Sequence, residues 1–145
     1  WIGLQQKNIE VATFYRGTEP ARVMPTWYGL FYADGKPKRI AHAFALWSKT
    51  AAHATRLETR ASATTALWML AGRDGAGEIA LLLANPSDQP TTFTINFADK
   101  RTISDFKISI SQVSDASEQI QTRAPNNNVV TIGANTVQLI VLTPR

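Results

Sequence analysis

The 145-residue chain contains no cysteine. Disulfides and thiolate metal sites are therefore excluded, while the compartment stays open, because exported proteins can also lack cysteine. Its two histidines, His42 and His53, do not form a His-x-x-x-His pair, so no zinc site or other metal is expected from spacing. A Gly-x-Ser-x-Gly nucleophile elbow is missing. So is an Asn-x-Ser/Thr acceptor, since Asn85 is followed by Pro86. No apolar run approaches the roughly 20 residues of a membrane span, and no membrane partner is expected. Residues 1–25 carry neither a basic n-region nor an apolar h-region, so they do not read as a signal peptide. Charge is sparse: 15 basic and 11 acidic residues leave a net charge of +4. The basic residues are scattered, not interleaved with aromatics, so nucleic acid is not an expected partner either.

What is present is a globular composition, 44% hydrophobic and 18% charged, in a chain long enough for one ordinary core. A single stretch, Trp27 to Lys49, reads as an aromatic segment, a turn and one amphipathic helix over 37–50. Ile40, Ala43, Phe44 and Trp47 recur at i, i+3, i+4 and i+7 and predict the buried face. Lys38, Arg39, His42 and Lys49 fall largely off it. Asp34-Gly35 signals a turn, and Pro37 suits a first helical turn, where its missing N–H has no partner to lose. Upstream, Ile9 to Arg16 (IEVATFYR) reads as a strand closed at Gly17, apolar on both faces like a covered parallel strand. Residues 17–36 read as a long connection.

From Ala54 onward the pattern is β. Strands are expected at about 54–60, 64–71, 78–84, 91–97, 103–113, 118–123, 128–132 and 136–143. Arg73 to Gly77 reads as a hairpin loop and Asn85-Pro86-Ser87-Asp88 as a strand end. Asn126–Asn128 and Gly133–Asn135 read as turns where positive φ is cheap. The run Glu78 to Ala84 is apolar on both faces and should be a central strand, a candidate for cover by the helix. Phe93 and Phe97, and Phe106 with Ile108, alternate with polar residues and read as core. The fold expected is mainly β: an antiparallel β-sandwich (52–145) preceded by one βα unit (1–51). A lone βα unit has unpaired strand edges and a helix without a sheet, so the chain reads as a piece of a longer polypeptide.

This order of parts resembles the C-terminal end of retaining glycoside hydrolases built on (β/α)8 TIM barrels, most closely family 39, the β-xylosidase type. Three stretches carry the likeness. Ala12 to Gly17 (ATFYRG) resembles an eighth barrel strand. Tyr28-Gly29-Leu30-Phe31 through Asp34-Gly35-Lys36-Pro37-Lys38 and on to Ala43-Phe44-Ala45-Leu46-Trp47 resembles the entry to the eighth helix. Leu81 to Ser87 (LLLANPS) resembles a common sandwich strand and turn. The resemblance implies the last strand and helix of a barrel followed by an accessory sandwich. Hydrolysis of O-glycosidic bonds would then require a missing N-terminal barrel portion as partner, with an oligo- or polysaccharide as substrate and no cofactor. It also implies a periplasmic or secreted location.

A retaining glycosidase needs two carboxyl groups about 5–5.5 Å apart. Glu10 and Glu19 flank the barrel-like strand, but at about 3.3 Å per strand residue they stand roughly 20 Å or more apart and cannot be that pair. No catalytic residue is therefore expected within the chain. Sites form at the C-terminal ends of barrel strands, which makes Tyr15, Arg16 and Glu19 the substrate-binding candidates, with Trp27 a further candidate for the wall of the cleft. The plainer reading makes Tyr15 core, pairs Arg16 with a neighbouring acid, and leaves Glu19 solvated. Two readings from other classes stand beside this one: a non-catalytic carbohydrate-binding sandwich, which needs exposed aromatics on a sheet face, and an adhesion module with no sugar in its function.

Overall fold

The computed structural model describes residues 2, 16–18, 29–61, 67–123 and 129–145. Ten strands and one α-helix lie in them: β1 (Arg16–Thr18), β2 (Gly29–Phe31), α1 (Arg39–Ala51), β3 (Thr55–Leu57), β4 (Trp68–Arg73), β5 (Ile79–Asn85), β6 (Thr91–Thr94), β7 (Phe106–Ser114), β8 (Ser117–Arg123), β9 (Val129–Ile132) and β10 (Thr136–Pro144). No described helix is long and apolar enough to cross a membrane.

The main sheet is antiparallel and six-stranded, in the order β3, β4, β5, β10, β7, β8. A second antiparallel pair, β6 with β9, forms the other layer of the sandwich. Strands β5 and β10 sit at the centre and are apolar on both faces because both faces are covered. On one face Leu70, Leu82, Val113 and Leu139 pack with Leu46 and Trp47 of α1. On the other, Leu83, Ile110, Ile140 and Leu142 pack with Val130, Ile132 and Phe93. The double-sided run around 79–85 is thus the central strand under the helix that its composition predicts. Ile2 is also buried in the cluster beneath the helix.

The helix is turned differently from the expectation. Leu46 is fully buried and Thr50 nearly so, whereas Ile40 remains 40% exposed and Phe44 half-buried. At 3.6 residues per turn the Leu46–Thr50 stripe lies about 120° around the helix from Ile40–Phe44, with Trp47 between them. The helix carries two apolar stripes, and the sheet takes the second. The start also differs. Pro37 precedes the helix and bridges to Phe31, and Lys38 is the N-cap residue.

Most turns form as their residues dictate. Gly35 and Gly77 adopt positive φ, as does Asn135 at 46°. Asn85, which is buried, accepts from the Ser87 N–H. Its amide donates to the carbonyls of Gln89 and Gly133, both at 2.8 Å, tying two loops together. The strand expected from 103 begins instead at Phe106. Ile103–Asp105 is one turn of 3-10 helix closed by a reciprocal cap between Thr102 and Asp105. The strand expected over 91–97 ends at Thr94, and that over 54–60 is only Thr55–Leu57. Residues 9–15, 64–66 and 126–128 of the expected elements lie outside the described residues.

Two glycines matter. Gly35 takes the left-handed turn of the 31–37 loop. Gly72, on β4 beneath the helix exit, lets His53 approach so closely that an added Cβ would stand 2.8 Å from His53 Cβ and 3.0 Å from its carbonyl oxygen.

Candidate functional site

The segment that resembles a barrel entry has a physical logic of its own. β1 and β2 pair in parallel, Arg16 opposite Gly29 and Thr18 opposite Phe31. The strand therefore does not close at Gly17, and the connection read across 17–36 contains a strand of its own. After Phe31 the chain makes a tight loop. Tyr32 N–H donates to the Lys36 carbonyl at 2.8 Å, and Gly35 N–H to the Tyr32 carbonyl at 2.9 Å. The Asp34 carboxylate accepts from the Lys36 backbone at 3.0 Å and pairs with its ammonium at 2.9 Å. The Lys36 ammonium and N–H beside it hold the Asp34 carboxyl below the usual carboxylate range. The returning arm then donates Lys38 N–H to the Leu30 carbonyl. The Gly29–Lys38 motif is thereby accounted for by structure alone, as a strand, a turn, a bridge and a helix start.

The helix start is pinned from two sides. Lys38 is buried to 9% exposure and its ammonium lies 5.2 Å from the centre of the Tyr32 ring. Arg39 donates to the carboxylate of Asp115 at 3.0 Å and to its carbonyl at 3.2 Å, in the turn between β7 and β8. These contacts help fix which stripe of α1 meets the sheet.

Of the sequence-derived site residues, Tyr15, Glu19 and Trp27 lie outside the described residues. Arg16 is described by its backbone only, as the first residue of β1. The structure therefore neither assembles nor separates that constellation.

On the sandwich, a cleft of about 870 Å³ opens between the main sheet and the β6 arm, floored by Leu67, Met69, Leu81 and Leu83 and rimmed by Glu58, Arg60, Asp99 and Arg101. Its aromatics are not displayed. Phe97 stacks on buried Phe106 at 5.1 Å, and the Arg101 guanidinium covers both rings at 5.5 and 5.7 Å. Asp99 holds Arg101 in place at 2.7 Å, and that contact lowers the Asp99 pKa and raises that of Arg101. Phe93, Phe97 and Phe106 are core or partly core, as their alternation predicts. Among the described residues of the sandwich Trp68 is the exposed aromatic, at 48%.

Sequence reasoning missed one grouping. His53, Asp74 and Glu78 bring their ligand atoms within 4.8 Å of one another where the helix exit meets the β4–β5 hairpin. The residues are 21 and four positions apart in sequence; the hairpin turn joins Asp74 to Glu78, and the β3–β4 register brings His53 to them, so spacing offered no signal. Asp74 is largely occupied as a turn former: Oδ1 accepts from the N–H groups of Ala76 and Glu78, both at 2.9 Å.

No protein-family model matches the sequence, and no curated protein matches it. Solved structures do. The glycoside hydrolase family 30 endoxylanase of Clostridium papyrosolvens superposes with a TM-score of 0.61 at 14% identity, over 81% of this chain and 31% of that one. The family 30 subfamily 8 xylanase of Clostridium acetobutylicum gives 0.62 at 12% identity, over 80% of this chain and 31% of its own. The family 86 β-porphyranase of Bacteroides plebeius gives 0.47 at 20% identity, over 62% and 16%. The chain spans less than a third of the length of each. At these identities the first two likenesses are likenesses of fold: a mainly β chain with an antiparallel sandwich of the kind found within glycoside hydrolases.

Proposed function

We propose that this chain is the C-terminal part of a retaining glycoside hydrolase, completing a (β/α)8 barrel with its first 51 residues and supplying an accessory β-sandwich with the rest. The observation that carries the reading is the parallel pair β1–β2 placed ahead of α1. Among the described residues β1 and β2 pair only with each other, and parallel sheets occur with both faces covered. Such a pair calls for further parallel strands. The exposed stripe at Ile40, with Phe31 also 36% exposed, is apolar surface suited to their cover. The fold likeness to two family 30 xylanases supports the same reading. The family 39 likeness rests on three stretches, chiefly Tyr28 to Trp47, and is the finer part of the proposal.

In this reading the chain supplies no catalytic carboxylate pair, and the sandwich is structural. Tyr15, Arg16, Glu19 and Trp27 contribute to the wall of a sugar site whose acid/base and nucleophile come from earlier barrel strands. The test is the polypeptide that precedes Trp1 in its reading frame. A Glu-bearing strand about 20–40 residues before Ile9, one βα repeat away, is expected. An upstream sequence without barrel repeats contradicts the proposal.

The alternative of a free-standing sugar-binding sandwich rests on Trp68, the exposed aromatic among the described residues of 52–145. Loss of glycan retention in Trp68→Ala on affinity gels would favour it.

A further inference from the structure

We propose that His53, Asp74 and Glu78 form a binding site for a divalent transition-metal ion of the zinc type, clamping the exit of α1 to the β4–β5 hairpin. His53 Nδ1 lies 2.9 Å from the Lys49 carbonyl oxygen. A carbonyl only accepts, so Nδ1 carries the proton, and in the neutral ring Nε2 is left with its lone pair. Such an Nδ1–H···O=C bond is how metal-binding histidines are commonly oriented. The Nε2 atom is buried, with under 1 Å² accessible, and has no hydrogen-bond partner among the described residues. It points at Glu78 Oε1 across 3.5 Å, with only 12% of the His53 side chain exposed.

That distance is long for a hydrogen bond, but it suits two ligands of one ion. Zinc–nitrogen and zinc–oxygen bonds of about 2.0–2.2 Å at a tetrahedral angle put the ligand atoms roughly 3.3–3.5 Å apart. The carboxylates lack other cationic partners: among the described residues neither Asp74 nor Glu78 forms an ion pair with Lys or Arg. Glu78 is itself held in place, since Thr143 donates its hydroxyl proton to Oε2 at 2.8 Å, which leaves Oε1 for the ion. The site lies just past the C-terminus of α1, where the helix dipole favours positive charge. One imidazole and two carboxylates, with a fourth position for water, suit zinc better than calcium or magnesium, which take oxygen ligands almost alone.

The test is calorimetric titration of the chelator-treated full chain with zinc chloride, with thermal unfolding followed in parallel and cobalt(II) as a visible-absorption probe. The expected result is one ion per chain, an unfolding midpoint raised by several degrees, and tetrahedral cobalt bands. His53→Gln and Glu78→Gln should each weaken binding by about tenfold or more. Far-ultraviolet circular dichroism confirms that each variant is folded, and either folded variant suffices. Absence of binding at millimolar zinc, or equal binding by both variants, overturns the proposal. A protonated Nε2 bonded to Glu78 and indifferent to zinc by nitrogen-15 NMR would also overturn it, leaving an imidazolium–carboxylate pair.

Discussion

Gly72→Ala isolates the helix–sheet junction. A glycine in a strand interior is ordinarily a weakness, and replacement by alanine gains about 0.5–1 kcal/mol. Here the new Cβ would meet His53 Cβ at 2.8 Å, the His53 carbonyl at 3.0 Å and the Thr50 carbonyl at 3.2 Å. These are backbone or backbone-attached atoms, so no side-chain rotation relieves the clash. The exit of α1 must lift from β4, uncovering part of the cluster around Leu46, Leu70 and Leu82. Overpacking of this kind typically destabilises by about 1–3 kcal/mol, which reverses the usual sign. In urea unfolding the midpoint should fall with the slope unchanged, and the melting temperature should drop by roughly 3–10 °C. Gly75→Ala in the adjacent hairpin is the control. Nothing lies within 4 Å of its added Cβ and its φ is not positive, so it should be neutral or slightly stabilising. Gly72→Ala as stable as the parent would refute the close approach of helix and sheet.

Leu46→Ala should destabilise by roughly 2–5 kcal/mol, the range for a buried leucine. Ile40→Ala should change the stability of this chain by less than about 0.5 kcal/mol; denaturant melts distinguish the two stripes. Gln138→Ala, at a fully buried residue whose amide donates to Gln112 at 3.2 Å and to the Thr131 carbonyl at 3.3 Å, should loosen β9 from the main sheet. A loss of about 2–4 kcal/mol and faster amide exchange at Val130 and Ile132 are expected. Asp34 and Asp99 have folded pKa values depressed by Lys36 and Arg101. Their contribution is full above the ordinary carboxylate value and lost as pH falls through the depressed one. Carboxyl NMR titration should show both midpoints below those of Asp34 in Lys36→Ala and Asp99 in Arg101→Ala, and high salt should shrink the difference, since both pairs are exposed.

The all-β character after Ala54, the hairpin at 73–77, the turn at 133–135 and the central double-faced strand were all legible, because each depends on local chemistry: turn residues, alternation, a two-sided apolar run. The orientation of α1 was not. Ile40 and Phe44 make a better periodic stripe with Trp47 than Leu46 and Thr50 do, yet the sheet takes Leu46, Thr50 and Trp47 and leaves Ile40 out, while Arg39 anchors on Asp115, a residue 76 positions away. Periodicity finds an apolar face but cannot say which layer covers it. Parallel pairing of β1 with β2 was hidden for a related reason: Gly29-Leu30-Phe31 alone carries almost no pattern, and pairing between strands is not written in either one. His53 meets Asp74 and Glu78 through the β3–β4 register and the close approach of the α1 exit to β4, neither of which spacing shows. The sugar-site reading at Tyr15, Arg16, Glu19 and Trp27 rested on side-chain chemistry suited to a sugar and on position at or past a strand end, which the family likeness alone identifies as a barrel strand.

The proposal that these residues complete an enzyme without containing its reacting groups meets its most direct test in hydrolysis. Reducing-sugar release from xylan and from aryl β-xylosides is measured for the 145-residue chain alone and for the same chain continuous with the polypeptide encoded upstream. No release from the first and turnover with retained anomeric configuration from the second are expected. Hydrolysis by the 145-residue chain alone, or an inert longer polypeptide that folds, would contradict it.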